Sequence, residues 1–246
     1  MRLLIDIGNT RTHAALADKH INQDKQFLTV DWSSDKMGTR LKRFVDQTKI
    51  SQALICSVVP TATRAARSWL RLVKIKTTIF NHKNCGIGID YPKPATIGPD
   101  RLANGLAAKT EFDSPAVVVD FGTAVTFDII NHKGNYTGGI ITPGLSVMTD
   151  YLHEKTELLP RIKLQNPRTT IGKSTEEAML IGAVYGYRGL IQALIERIRK
   201  QLKARRLPVI ATGGHAKLLA KGIPEITAVR PLLTLEGLRI ASSPNN

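Results

Sequence analysis

Two short stretches of this chain carry the same pattern, Asp6-Ile7-Gly8-Asn9-Thr10 and Asp120-Phe121-Gly122-Thr123-Ala124. Each follows an apolar run, and each sets an aspartate two positions before a glycine. Glycine has no β-carbon, so neighbouring backbone N–H groups can approach a phosphate closely. The hydroxyls of Thr10 and Thr123 add donors. Thr212-Gly213-Gly214 is a third turn of this kind. Asp6 and Asp120 cannot face a phosphate directly, because like charges repel. A carboxylate beside bound phosphate needs a cation or a water between them, which implies Mg²⁺ or another metal bridging ATP to the protein. A lone Asp-x-Gly turn is also a common way to end a strand. The repetition carries the nucleotide reading, more than either copy alone.

Gly98-Pro99-Asp100-Arg101 opens a predicted helix. Asp100 there has two readings. It is a helix cap worth ~1 kcal/mol, or it orients a hydroxyl nucleophile and accepts its proton late in a loose phosphoryl transfer. Either way the helix dipole is expected to keep it ionised. Arg101 offers a fork suited to carboxylate or phosphate. Thr175 sits in the first turn of a later helix, as a plain helix start or as a holder of a polar ligand group. His13, His82 and His215 fall near turns without metal-ligand spacing, and all six histidines are read as non-ligands. Cys56 and Cys85 form no Cys-x-x-Cys pair and read as ordinary reduced thiols.

Other phosphate chemistries are excluded by their missing signatures. The chain has no Walker A sequence, no Gly-x-Gly-x-x-Gly after the first strand and no protein-kinase catalytic set. At 246 residues and 42% hydrophobic, it can form one or two packed domains. The first apolar run, residues 3–7, is too short for a membrane span or a signal peptide, which points to the cytoplasm and to no membrane partner. The net charge of +15 attracts anions of any kind and selects none.

The elements that must position these residues follow from the patterning. A strand over residues 2–7 is predicted, then a hairpin over 11–30. An amphipathic helix at 36–50, a buried strand at 53–59 and a helix at 61–72 follow. Residues 87–94 read as a loop, and 101–112 as a helix. Turn residues cluster at Asp113-Ser114-Pro115, which predicts a division into residues 1–114 and 115–246. A strand before Asp120 and a returning strand at 125–130 then repeat the opening. The later helix has a capping box in Ser174 and Glu177, and apolar residues recur through Ile181, Val184, Tyr187, Ile191, Leu194, Ile198 and Leu202. Its end is basic, from Arg197 to Arg206, as the helix dipole favours. The repeated half argues for an α/β fold with two similar domains made by duplication.

In order, these pieces resemble type III pantothenate kinase. The matching stretches are residues 6–10, 98–101, 120–124, 138–144, 172–176 and 212–214. The resemblance implies duplicated ribonuclease H-like domains in an actin-like ATPase fold, and phosphorylation of pantothenate by ATP as the first step towards coenzyme A. It implies that Asp6, Ile7, Gly8, Asn9, Thr10, Arg11, Thr12 and His13 form the first phosphate loop, and that Thr123 touches ATP. Asp120 would help bind a monovalent cation, potassium or ammonium, beside Mg²⁺. Asp100 would accept the proton. Tyr91, Gly98, Pro99, Asp100, Arg101 and Thr175 would hold pantothenate, with Tyr91 as an aromatic wall for its dimethyl group. The resemblance also implies a homodimer.

Two rivals stand beside this reading. Another small-molecule kinase of the same fold would keep Asp6 and Asp120 and change the acceptor pocket. A regulatory or nucleic-acid-binding protein on this fold would use the +15 charge and the basic segment. Against the second, the chain has no RNA-binding signature or zinc finger and few aromatic residues, so no specific nucleic-acid partner is expected.

Overall fold

A computed structural model describes residues 1–34, 36–46 and 48–243. The chain forms two compact units. The first joins Met1–Glu111 to the stretch beginning at Leu232, and the second is Phe112–Pro231.

The first unit is built on a five-stranded sheet. Its strands are β1 (Arg2–Ile7), β2 (Arg11–Ala17), β3 (Ile21–Leu28), β4 (Gln52–Ser57) and β5 (Thr77–Ile79), in the order β3-β2-β1-β4-β5. β1 pairs antiparallel with β2 and parallel with β4. Strand alternation sorts β1 cleanly. Leu3, Ile5 and Ile7 point into a core shared with Ala53, Ile55, Met37, Leu41, Ala66 and Leu70. The last four come from helices α1 (Lys36–Val45) and α2 (Pro60–Leu72). Asp6 therefore belongs to the opposite face. Helix α3 (Pro99–Glu111) packs closely with the C-terminal helix, Leu233–Ala241. Gly237 meets the Ala103 backbone, and Thr234 donates to Asn104 Oδ1 at 2.8 Å.

The division expected at residues 114 and 115 is corrected at the far end. The first segment ends within a few residues of that point, but the last helix belongs to the first unit. Its apolar side covers α3, and Arg2 donates to Arg239 O and Ser242 Oγ. Helix α1 stops at Val45, short of the expected residue 50, and residue 47 lies outside the described residues.

The second unit repeats the sheet. β6 (Ala116–Phe121), β7 (Ala124–Ile130), β8 (Tyr136–Pro143), β9 (Val209–Thr212) and β10 (Ala228–Val229) lie in the order β10-β9-β6-β7-β8. The central strand again pairs antiparallel with the next strand and parallel with a later one. Between β8 and β9 come α4 (Leu145–Lys155), α5 (Thr175–Ile181), a π-helical turn at Gly182–Gly186 and α6 (Tyr187–Leu202). Helix α7 (Ala216–Ala220) links β9 to β10. Val117, Val119 and Phe121 share a core with Val184, Tyr187, Ile191, Ile195 and Ile198.

The run Thr175–Leu202 is long and apolar enough, by length and composition, to cross a membrane. Those last five residues instead bury one of its faces in this core. The expected single helix is therefore interrupted by the π turn, and it ends at Lys203, which has a left-handed backbone (φ 51°). Arg205 and Arg206 lie beyond its end, where the helix dipole does not account for them.

Candidate active site

The first unit brings Asp6, Cys56 and Asp100 to one place. Sheet register sets Asp6 beside His13 on β2 and beside Cys56 on β4. Neighbours in register share a face, so the three form a row on the side away from the α1–α2 core. The charges of both Asp6 and Asp100 act on the Cys56 thiol, and Asp6 accepts its hydrogen bond. His13 is tied outward, its Nε2 lying 2.7 Å from Asp24 Oδ2.

Asp100 stands in the first turn of α3, one residue inside Pro99. The carbonyl of Gly98 accepts the opening helical bonds from Arg101 and Leu102, so Gly98 occupies the capping position expected of Asp100. The Asp100 carboxylate accepts from the Arg101 N–H at 2.9 Å. A β-carbon at Gly98 would lie 2.5 Å from Asp100 Oδ1, so glycine there makes room for the carboxylate. Burial pushes the Asp100 carboxyl above its ordinary value, and the Arg101 N–H and charge offset this only in part. Desolvation thus outweighs the local bonds and charge that favour the ionised form.

The turn after β1 separates the predicted loop residues by exposure. Gly8 N–H donates to Arg11 O at 2.9 Å and closes the turn. Asn9, Thr10 and Arg11 are exposed. Thr12 is fully buried, and its hydroxyl contacts Thr29 Oγ1 at 3.1 Å and accepts from Trp32 Nε1 at 3.0 Å. Ile7 is also fully buried. Within the expected phosphate loop of residues 6–13, side chains thus divide into an exposed set and a buried set. The side chains of Ile7 and Thr12 pack beneath the turn, so any contact they make with a ligand would be through their backbone. Tyr91 is exposed on a loop outside the regular elements, as expected of residues 87–94.

The second unit holds the matching turn. Asp120 lies between Thr126 on β7 and Thr212 on β9. Gly213 has φ +89°, and a β-carbon there would meet Asp120 Oδ1 and come within 2.7 Å of the Phe121 backbone. The chain after β9 can therefore pass this close to Asp120 only with glycine. Thr123 is exposed in the turn. His215 N–H donates to Phe121 O, and its ring lies 3.2 Å from Ser146 Oγ. Burial lowers the His215 pKa, so its ring is neutral near pH 7. Thr175 opens α5 and is exposed. The predicted cap is present, with Ser174 Oγ accepting from Glu177 N–H at 3.2 Å. The return bond to Glu177 comes from the N–H of Lys173 instead of Ser174.

Sequence reasoning missed Cys56 as a neighbour of Asp6, and it placed His215 near a turn without its contact to Ser146. A serial signal existed for each, a polar or thiol residue at a strand end or beside a glycine pair, but only register and burial give it weight.

Residues 2–197 match the family model described as type III pantothenate kinase. A type III pantothenate kinase from Akkermansia muciniphila is 44% identical over 243 residues, covering 99% of this chain and 98% of the relative. The chain belongs to the type III pantothenate kinase family. It is a kinase that uses ATP to phosphorylate pantothenate in coenzyme A biosynthesis. Solved structures agree on the fold. The activator of 2-hydroxyisocaproyl-CoA dehydratase from Clostridium difficile with bound ADPNP superposes with a TM-score of 0.51 at 11% identity, covering 98% of this chain and 92% of that one. The inorganic polyphosphate/ATP-glucomannokinase from Arthrobacter sp. strain KM gives 0.50 at 13% identity, covering 98% of each chain. The expected duplicated α/β, actin-like ATPase fold is the one this pantothenate kinase adopts.

Proposed function

We propose that Asp100 is the proton acceptor of the pantothenate kinase reaction. The hydroxyl oxygen of pantothenate attacks the γ-phosphorus of ATP, forming a new P–O bond. The bond to the bridging oxygen breaks, and ADP leaves with that electron pair. The hydroxyl proton passes to the Asp100 carboxylate, giving 4'-phosphopantothenate. The observation that carries this reading is the half-buried Asp100 carboxyl, raised by desolvation and set on the Asp6 face of the sheet. A raised carboxylate is a stronger base, and an acceptor nearer the working pH suits general-base chemistry.

The turns take the remaining roles. Gly8, Asn9, Thr10 and Arg11 would present N–H and side-chain donors to ATP phosphates, with His13 beside Asp6. Thr123 would add its hydroxyl. Gly98, Pro99, Arg101, Tyr91 and Thr175 would hold pantothenate. Asp120 would help hold potassium or ammonium. Its carboxylate, flanked in register by Thr126 and Thr212, is an all-oxygen environment suited to such a hard cation. Mg²⁺ would bind largely through the phosphates of ATP. These cations supply neutralisation of phosphate charge when bound.

The protein would act as a cytoplasmic homodimer. The second unit exposes Val147, Met148, Tyr151 and Leu152 on α4, with Tyr151 59% exposed. Four such side chains on one short helix form the kind of apolar surface that subunit contacts cover. A coupled ADP-release assay with pantothenate, with and without potassium, tests the reaction and the cation together. Turnover is expected only with pantothenate and to fall strongly without potassium or ammonium. Full activity in sodium or tetramethylammonium buffer would remove the monovalent site.

A further inference from the structure

Cys56 is the one buried thiol set among the carboxylates of the first unit. It stands opposite Asp6 where β1 and β4 run parallel, so the two side chains leave the same face. The side chain is fully buried, and its S–H donates to the Asp6 carboxylate. Burial and the charges of Asp6 and Asp100 push the thiol pKa well up, so sulfur keeps its proton. A thiol that stays protonated is a poor nucleophile and a poor metal ligand. What remains to it is donation of one weak hydrogen bond. Its acceptor is the carboxylate that opens the phosphate turn. Asp6 is the penultimate residue of β1, where backbone pairing on both sides fixes the main chain but not the carboxyl rotation. The neighbouring strand supplies that constraint through Cys56.

We propose that Cys56 is a positioning residue for phosphoryl transfer, its S–H orienting the Asp6 carboxylate beside the first turn. This rests on reading that turn as the phosphate loop. Loss of one bond to a charged partner changes an equilibrium by roughly tenfold. Cys56→Val, close in size but without a donor, is expected to lower kcat about tenfold. KM for pantothenate is expected to change less than about twofold, because the bond lost is to Asp6 and not to a residue that holds pantothenate. Cys56→Ala is expected to behave alike, and Cys56→Ser, which keeps a donor, to stay within about threefold of wild type. In an Asp6→Asn background, Cys56→Val is expected to cost little more, since its partner is already altered. Thermal unfolding of each variant reports folding separately. The proposal is overturned if Cys56→Val keeps wild-type kcat, if Cys56→Ser falls as far as Cys56→Val, or if the losses in the double variant simply multiply. The reading beneath it fails differently. Asp6→Asn with wild-type turnover would remove the phosphate-loop role itself, whatever Cys56 does.

Discussion

β1 and β6 hold the same place in their sheets, each with antiparallel strands on one side and parallel strands on the other. Each also ends in aspartate, a residue and glycine. Their surroundings diverge from there. Asp6 has a thiol beside it and a second carboxylate nearby, brought by α3. Asp120 has two threonines in register and a left-handed glycine against it. The long insertion also falls on one side only. Among the described residues, a 3-10 turn at Thr29–Ser33 and α1 separate the third and fourth strands of the first sheet, whereas α4, α5, the π turn and α6 separate those of the second. Duplication preserved the frame that aims an aspartate out of a central strand. It left each copy free to acquire a different chemistry around that aspartate.

The sharpest way to break this contrast is at Asp100, which has no acidic equivalent in register beside Asp120. Asp100→Asn is expected to fold and to lose turnover by ~10²–10⁴-fold in the ADP-release assay. Its stability is expected to move the other way. A carboxyl whose folded pKa is raised destabilises the fold when ionised, and that cost fades as pH falls through the folded pKa. At neutral pH the amide removes the cost, so Tm is expected to rise. The wild-type rate is expected to fall as pH drops through the same raised pKa. Turnover within about threefold of wild type in Asp100→Asn would end the assignment.

The second unit has its own weak point. Gly213→Ala is expected to cost about 2 kcal/mol or more, from a positive φ and contact with Phe121 and Asp120. Gly214→Ala, one residue on, meets nothing within 4 Å and is expected to be nearly neutral. Urea unfolding of the pair measures the difference, and equal midpoints would refute it. A smaller effect is expected at the α4 face. Tyr151→Glu should weaken self-association by about tenfold, read by sedimentation, while leaving the Asp6 row intact. An unchanged association constant would move the interface elsewhere.

The smallest effect concerns the basic segment. DNA binding is expected only at low salt, without sequence preference, and to fall steeply between about 50 and 200 mM salt. A specific complex that survives excess random DNA at about 150 mM salt would revive a regulatory role.

The frame of both units was legible because β1, β4 and β6 carry β-branched and apolar runs that end at glycine or proline. β5 and β10 were not, since strands of three and two residues show no period. β8 hid behind Gly138 and Gly139, and α4 behind a weakly sorted face. At the site, the position of Asp100 was readable but the sign of its electrostatics was not. A helix N-terminus lowers a carboxyl pKa, and only the packed structure shows the desolvation that raises this one. Thr12 entered the expected phosphate loop through the resemblance, which does not say where its hydroxyl goes. Its hydroxyl is shared with Thr29 and Trp32, partners 17 and 20 residues away that no local pattern points to.

The C-terminal helix sets an order on biosynthesis. Its residues close over α3, and Arg239 and Ser242 accept bonds from Arg2 near the start of the chain. A ribosome makes Leu233–Ala241 only after the whole second unit has been translated. The N-terminal unit, though synthesised first, therefore waits with its α3 surface uncovered while the continuous second unit can already pack. The usual sequence, in which the leading domain is finished before the next emerges, is reversed in this chain. During that interval the nascent first unit exposes apolar surface of the kind that chaperones bind.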